Sequence, residues 1–373
     1  MKIGIFHPTL NRCGGGEWVA FSIINSLRAI GHKVIVLTDE KIDQPKFIKT
    51  FGQKLETDGE IVFPFRFFNR GDAHNIYADI VGCFILKSKC SFVVDTFTRM
   101  LLPGVDVVYM HYPLLTRKVS SIKRHSFKSA LYFLPYHSYQ KMIRKRMKKI
   151  VFANSKFTSK AIHTRLNLRS HLLYPPLSPF FLNTEKKVTG YKRLNQVVSV
   201  SRFAPEKNLE MVIYIAKRLK KVKFLIVGNL HHRKVHSRLI ELIHHFNLEK
   251  RVILLPNLPK MQLRQLLLNS KIYLHCAIDE HFGISVIDAM ASGCLPIVHD
   301  SGGPAEFVPE KLRYRSITDA VLKIEKAILE WSPKNAQEMR DLTQKFNVKI
   351  FEKNFIHVLS FHGLLDNAKK VND

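Results

Sequence analysis

Short apolar runs bounded by turn residues alternate along the chain with amphipathic helical patterns, and that alternation restricts it to parallel sheets covered by helices on both faces. In the first half such runs fall at residues 2–6, 33–38 and 105–110; in the second, at 196–202, 223–227, 251–255, 271–276 and 295–299. A helix is expected from about Glu17 to Ile30, with Trp18, Phe21, Ile24 and Leu27 on one stripe and Gly31 ending it. Pro175, Pro176 and Pro179 interrupt the alternation, and 373 residues suffice for two domains. The expected architecture is α/β: two Rossmann-like, doubly wound domains facing across a cleft, over residues 1–182 and 183–347. After Ser316 the pattern is helical to the end.

Charge is distributed unevenly. With 59 Lys and Arg against 30 Asp and Glu, the formal net charge is +29. Residues 107–184 contain no Asp or Glu but fifteen Lys or Arg. Inside that stretch Tyr136, Tyr139, Ile143, Met147 and Ile150 recur three or four apart, while Lys141, Arg144, Lys145, Arg146, Lys148 and Lys149 fill other positions, as in a basic amphipathic helix. Such a helix fits a solvated face, a phosphate-tracking surface or the interface of an anionic membrane. Phe127, Leu131, Tyr132, Phe133 and Leu134 among Lys123, Arg124 and Lys128 favour the membrane, where each cation contributes ~1 kcal/mol. Beyond its charge the chain carries no recognisable nucleic-acid module, so a nucleic-acid-binding protein is the remote alternative.

The five cysteines are scattered without a Cys-x-x-Cys pair, against both a disulfide framework and a zinc site. The opening run breaks at His7-Pro8, too short for a signal-peptide core, and no run reaches the ~18–20 apolar residues of a membrane span. A cytosolic setting is expected.

In open parallel sheets ligands bind beyond the carboxyl ends of the strands, and four loops there are unusual. Cys13-Gly14-Gly15-Gly16-Glu17 opens a helix; consecutive glycines suit either a tight turn or an anion-binding backbone. His111-Tyr112-Pro113 follows the run 105–110, where an imidazole can polarise a hydroxyl or carbonyl. Arg202 and Lys207 bracket a turn leading into a helix expected near Asn208, so that two cations and a helix N-terminus would converge on a diphosphate. In Glu280-His281-Phe282-Gly283-Ile284-Ser285-Val286-Ile287-Asp288, one acid sits in a loop and a second about two turns up the following helix, spread along a ligand.

Glu280-x7-Asp288 enclosing His-Phe-Gly, Ala289-Met290-Ala291-Ser292-Gly293, Ser301-Gly302-Gly303-Pro304 and the Arg202–Lys207 turn together resemble the family-4 retaining glycosyltransferases of the GT-B fold. More narrowly, the Gly-Gly-Gly-Glu loop, His111-Tyr112-Pro113, Asn154-Ser155, Tyr174-Pro175-Pro176 and Glu280-His281-Phe282-Gly283 resemble the α-1,2-mannosyltransferases that extend lipid-linked oligosaccharides in N-glycan assembly. The resemblance implies a catalytic set of Glu280, His111, Arg202 and Lys207. It implies donor contacts from Gly15, Gly16, Arg202, Lys207, His281, Phe282, Gly283, Ile284 and Asp288, the last standing where the family usually has Glu. Gly14 and Glu17 would serve the acceptor, and Arg144, Lys145, Arg146, Lys148 and Lys149 the membrane. A C-terminal helix over about 348–368 would cross back to the first domain.

No Asp-x-Asp pair is present, while Arg202 and Lys207 supply cations for the leaving diphosphate, so no metal or other cofactor is expected. The expected partners are a nucleotide-sugar, most simply GDP-mannose, a lipid-linked glycan and an anionic membrane surface on its cytoplasmic face, with no nucleic acid. A UDP-hexose donor, such as UDP-glucose, with another glycolipid or polysaccharide is the alternative.

Overall fold

The computed structural model of the chain describes residues 1–63, 72–97, 101–113, 149–182 and 193–365. It divides into two units, residues 1–176 with 348–373 and residues 177–347. The division comes before the residue-182 boundary suggested by the sequence because Leu177 N–H already donates to Phe346 O (2.7 Å), and Lys260 Nζ reaches Ser178 Oγ (3.3 Å).

The first unit is built on seven strands: β1 (Lys2–Phe6), β2 (Lys33–Thr38), β3 (Gly59–Val62), β4 (Phe92–Asp95), β5 (Val107–Met110), β6 (Ile150–Ala153) and β7 (His171–Leu172). They are ordered β3-β2-β1-β4-β5-β6-β7, and every pairing is parallel. Strands β4, β5 and β6 are buried along their whole length, which is why they read as continuous apolar runs rather than alternating ones. One face of the sheet carries Trp18, Phe21, Phe47 and Phe51 together with Phe351, Phe355 and Leu359. The other carries Cys83, Leu86, Val93, Val108, Ile162 and Leu166.

The helix Val348–Phe361 supplies three of those core residues, so the C-terminal helix does return to the first unit. It ends at Phe361, short of the expected 368, with Gly363 at φ +70° just beyond.

The second unit has six strands, β8 (Leu194–Val200), β9 (Lys223–Gly228), β10 (Val252–Pro256), β11 (Ser270–His275), β12 (Leu295–His299) and β13 (Arg313–Tyr314). Their order is β10-β9-β8-β11-β12-β13, again parallel throughout. In both units the sequence of strands reverses direction at one point, between β1 and β4 and between β8 and β11. At such a switch the loops diverge to either side and leave room for a ligand.

Two expectations about the basic segment change. Ile150 is not the last apolar position of an amphipathic helix but the first residue of β6, paired with Val107, because Ile-Val-Phe-Ala is a β-branched and aromatic run with a strand to bind. Lys149 is not a membrane-facing cation either. Its Nζ donates to Leu102 O and, at 2.7 Å, to Val105 O, and burial pushes its pKa down to about 8 against the attraction of Asp95. Arg144, Lys145, Arg146, Lys148 and the aromatic residues 127–134 lie outside the described residues. Among the described residues no helix is long and apolar enough to cross a membrane.

Candidate active site

At the second switch point the loop after β8 and the loop after β11 meet. Asn208, at φ +50°, ends the short 3-10 turn Pro205–Lys207, and its side-chain amide donates to Cys276 O at 3.3 Å, tying one loop to the other. The helix that follows begins at Glu210, two residues later than expected, since the 3-10 turn takes its place. Gly228 at the end of β9 lies so close to the start of the loop after β8 that a Cβ there would fall 1.6 Å from Ser201 O. That close approach admits only glycine.

The turn aims Lys207 at Glu280: Nζ sits 2.6 Å from Oε2. The same oxygen lies 3.2 Å from His275 Nε2, at the carboxyl end of β11. All three side chains are largely buried. Burial would push the Glu280 carboxyl up, but the hydrogen bond with His275 and the charge of Lys207 outweigh it and hold the group well below the usual carboxylate range. Glu280 is therefore an anion, and among the described residues both side-chain donors to it lie on Oε2 and none on Oε1.

The Ser301-Gly302-Gly303-Pro304 loop after β12 fixes the backbone of this carboxylate. Gly303 N–H donates to Glu280 O (2.7 Å), and Asp279 N–H donates to Ser301 Oγ (2.9 Å). Gly302 has φ +71°, and a Cβ on it would lie 2.3 Å from Glu280 O, so this motif acts by letting one backbone lie on another. Beyond it, the helix Ile284–Ala291 starts at Gly283, which has no side chain to cap it; the first N–H groups stay available to an anion.

Asp288 enters the second turn of that helix, not two turns up as expected, because the helix begins only at Ile284. Its Oδ1 is shut off from solvent and has no hydrogen-bond partner among the described residues. Burial pushes its pKa up to about 7 despite Lys260 nearby. His281 and Phe282 stand between the acids, with Phe282 buried against Phe307 and Phe346. Arg202 is not drawn to Glu280: its guanidinium pairs at 3.2 Å with Glu206 and remains half exposed. The expected convergence of two cations is thus one buried cation on Glu280 and one in solvent.

In the first unit a second cluster forms at the switch between β1 and β4. Glu17, in the first turn of the helix Gly15–Ala29, accepts from Gly14 N–H (2.8 Å), and its other oxygen lies 3.4 Å from Thr9 Oγ1 and 3.5 Å from His7 Nε2. His7 Nδ1 meets Thr96 Oγ1 at 2.8 Å, and His111 Nε2 lies 3.0 Å from Thr96 O. A Cβ on Gly16 would come within 3.5 Å of the His111 ring, so the glycine loop and the histidine form one surface. Glu17, expected to serve the acceptor, is buried, and its carboxylate closes the helix start. Burial raises its pKa, the hydrogen bond with His7 lowers it, and the net shift is downward.

Sequence reasoning missed His7, Thr96 and His275. His7 and His275 each stand at the carboxyl end of a run read as a strand, as His111 does, and that position was their signal. Among the described residues no three His, Cys, Asp or Glu converge as metal ligands.

Comparison with known proteins bears on both units. Residues 182–345 match the family model described as glycosyl transferases group 1. Over those residues the chain is similar to the group 1 glycosyl transferases. The matched stretch coincides closely with the second unit, and Glu280, Lys207 and His275 all fall inside it. Over an alignment of 435 positions the chain is 24% identical to the Dictyostelium discoideum GDP-Man:Man(3)GlcNAc(2)-PP-Dol alpha-1,2-mannosyltransferase, covering 95% of this chain and 84% of that one. The Homo sapiens protein of the same name is 29% identical over 366 residues, covering 82% of this chain and 73% of its own. Among solved structures, a glycosyltransferase from Rickettsia africae ESF-5 matches with a TM-score of 0.73 at 15% identity, over 98% of this chain and 99% of that one. The fold is GT-B, and the likeness to lipid-linked oligosaccharide mannosyltransferases that the motifs carried is present along the chain.

Proposed function

We propose that this glycosyltransferase moves mannose from GDP-mannose to a lipid-linked glycan, with retention of anomeric configuration and without a metal. The observation that carries the reading is the Lys207–Glu280 ion pair at the β8/β11 switch, which leaves a buried carboxylate with one oxygen open beside an uncapped helix N-terminus. Glu280 Oε1 accepts hydrogen bonds from sugar hydroxyls. The N–H groups at Gly283 and Ile284, with Lys207 and a repositioned Arg202, offset the charge that builds on the diphosphate as the sugar C1–O bond breaks. Asp288 takes the ribose hydroxyls, which give its shielded Oδ1 the donors it lacks.

No residue stands out as a nucleophile, so the reading is front-face displacement. The acceptor hydroxyl attacks the face the diphosphate leaves, and its proton passes to a departing phosphate oxygen. In the first unit, Gly14 to Gly16 and His111 form one surface at the β1/β4 switch and are the residues we assign to substrate there. A lipid-linked acceptor is met at a membrane, and the acid-free basic and aromatic stretch, with Arg144, Lys145, Arg146 and Lys148, suits the anionic cytoplasmic face. Reversing those four charges to Glu is expected to release the protein from anionic vesicles; unchanged binding removes this part of the reading.

The test is transfer of labelled sugar from GDP-mannose, and separately from UDP-glucose, into organic-extractable lipid in the presence of a chelator, with Glu280→Ala as blank. Lipid-borne label from GDP-mannose is expected. Label from UDP-glucose alone moves the enzyme to another glycolipid, and label that appears only when metal is restored overturns the cation-only account.

A further inference from the structure

We infer that His275 is a positioning residue for Glu280: by donating from Nε2 to Oε2 it selects the carboxylate orientation that turns Oε1 to the sugar. The inference rests on the reading of Glu280 as the sugar-binding carboxylate and adds to it a residue that no motif marks.

The geometry is specific. His275 is the last residue of β11 and only 3% exposed, so its ring is fixed by the sheet rather than by solvent. Tyr314 Oη donates to its carbonyl at 3.1 Å, and the Tyr273 ring lies parallel to it, with centroids 6.3 Å apart and 15° between the planes. Nε2 stands 3.2 Å from Glu280 Oε2. Facing an anion, that nitrogen carries the proton, so the ring donates whether neutral or charged.

Lys207 alone would not define the orientation. An ammonium on a flexible stem attracts either carboxylate oxygen, and a carboxylate can turn about its last bond to offer one or the other. A second donor arriving on the same oxygen from a rigid strand removes that freedom. The groups facing this carboxylate are Lys207 from the loop after β8 and His275 and Tyr273 from β11; Gly303 from the loop after β12 bonds its backbone. Of these only Lys207 and His275 hydrogen-bond the carboxylate among the described residues. A core histidine with no such duty would need only a neutral partner, and Tyr273 Oη already bonds Val200 O and Ser285 Oγ, leaving the histidine to Glu280.

Two substitutions separate positioning from packing. His275→Leu keeps volume but removes the donor, and His275→Gln keeps an N–H near the place of Nε2. His275→Leu is expected to lower kcat roughly ten- to hundredfold, the effect of one hydrogen bond to a charged group. It is also expected to move the acid limb of the pH profile to higher pH, because Glu280 loses a donor that favours its ionised form. His275→Gln is expected to restore most of the rate and the wild-type acid limb. An unchanged rate and acid limb in His275→Leu, or equal loss in both variants with thermal stability reduced alike, would overturn the inference. The Glu280 titration itself, followed by carboxyl carbon NMR with Glu280→Gln as the subtraction, is expected to shift upward in His275→Leu; no shift counts against the inference even in a protein that transfers no sugar. Absence of transfer by the wild type, with that shift present, defeats the proposed activity and leaves the positioning contact standing.

Discussion

Two buried glutamates, Glu17 and Glu280, occupy comparable places in the two halves of the chain. Each stands at the switch point of a parallel sheet, each has a histidine from a strand end against it, and each is held below the ordinary carboxylate range. They differ in how their oxygens are used. Glu17 has a partner on both: Gly14 N–H on one, Thr9 and His7 on the other. Glu280 has Lys207 and His275 on one oxygen and none on the other among the described residues. On the proposed reading, the carboxylate with both oxygens engaged is part of the frame, and the one with an oxygen in reserve meets the ligand.

The comparison is most easily broken at Glu280. Glu280→Ala is expected to cut transfer by roughly 10²–10³-fold, as when a single preorganised group is removed from a reacting centre. Folding, read by circular dichroism, should persist. Glu17→Ala should act in the opposite sense. It removes the carboxylate that accepts from Gly14 N–H at the helix start and leaves His7 and Thr9 without that acceptor, so a stability loss of about 1–3 kcal/mol is expected in chemical denaturation. If Glu17→Ala abolished transfer with stability intact, the division between frame and binder would be wrong.

Protonation separates the acids further. Because the folded Glu17 and Glu280 groups lie low, the stability they contribute is present above the unfolded glutamate value of about 4.3 and drains as pH falls through the folded values. Asp288 runs the other way. With its folded value raised to about 7, it adds nothing unfavourable below the unfolded aspartate value of about 3.9, costs stability as pH rises from there to about 7, and holds that full cost above it. Asp288→Asn is expected to raise Tm by about 2–4 °C at pH 8 and to leave it unchanged near pH 4. The smallest effect belongs to Arg202. Its exposed pair with Glu206 contributes roughly 0–1 kcal/mol, so Arg202→Ala should leave Tm unchanged while raising KM for the donor.

Most of this fold could be read from the sequence because parallel strands buried on both faces appear as continuous apolar runs. Five strands of the second unit were legible for that reason; β13, two residues long, was not. In the first unit β3 and β7 were not, one alternating in burial and the other two residues long, β6 was hidden by the cationic stretch before it, and the run that forms β4 was not read as a strand. Glu280 and Lys207 could be named from their motifs. The distances that join them could not, since 73 residues separate the two and only the β8–β11 pairing brings their loops together. Ser301-Gly302-Gly303-Pro304 was legible as a motif but not as a support for Glu280, because close backbone packing leaves no mark beyond the absence of a side chain. His275 stayed hidden for a simpler reason, being one of eighteen histidines.

The central claim is that Glu280 reads the sugar while the rest of its unit holds the nucleotide. Calorimetric titration of wild type and Glu280→Ala with GDP-mannose and with GDP tests it directly. The account predicts that the substitution weakens GDP-mannose and leaves GDP nearly unchanged. Equal weakening of both ligands, or of neither, would contradict it.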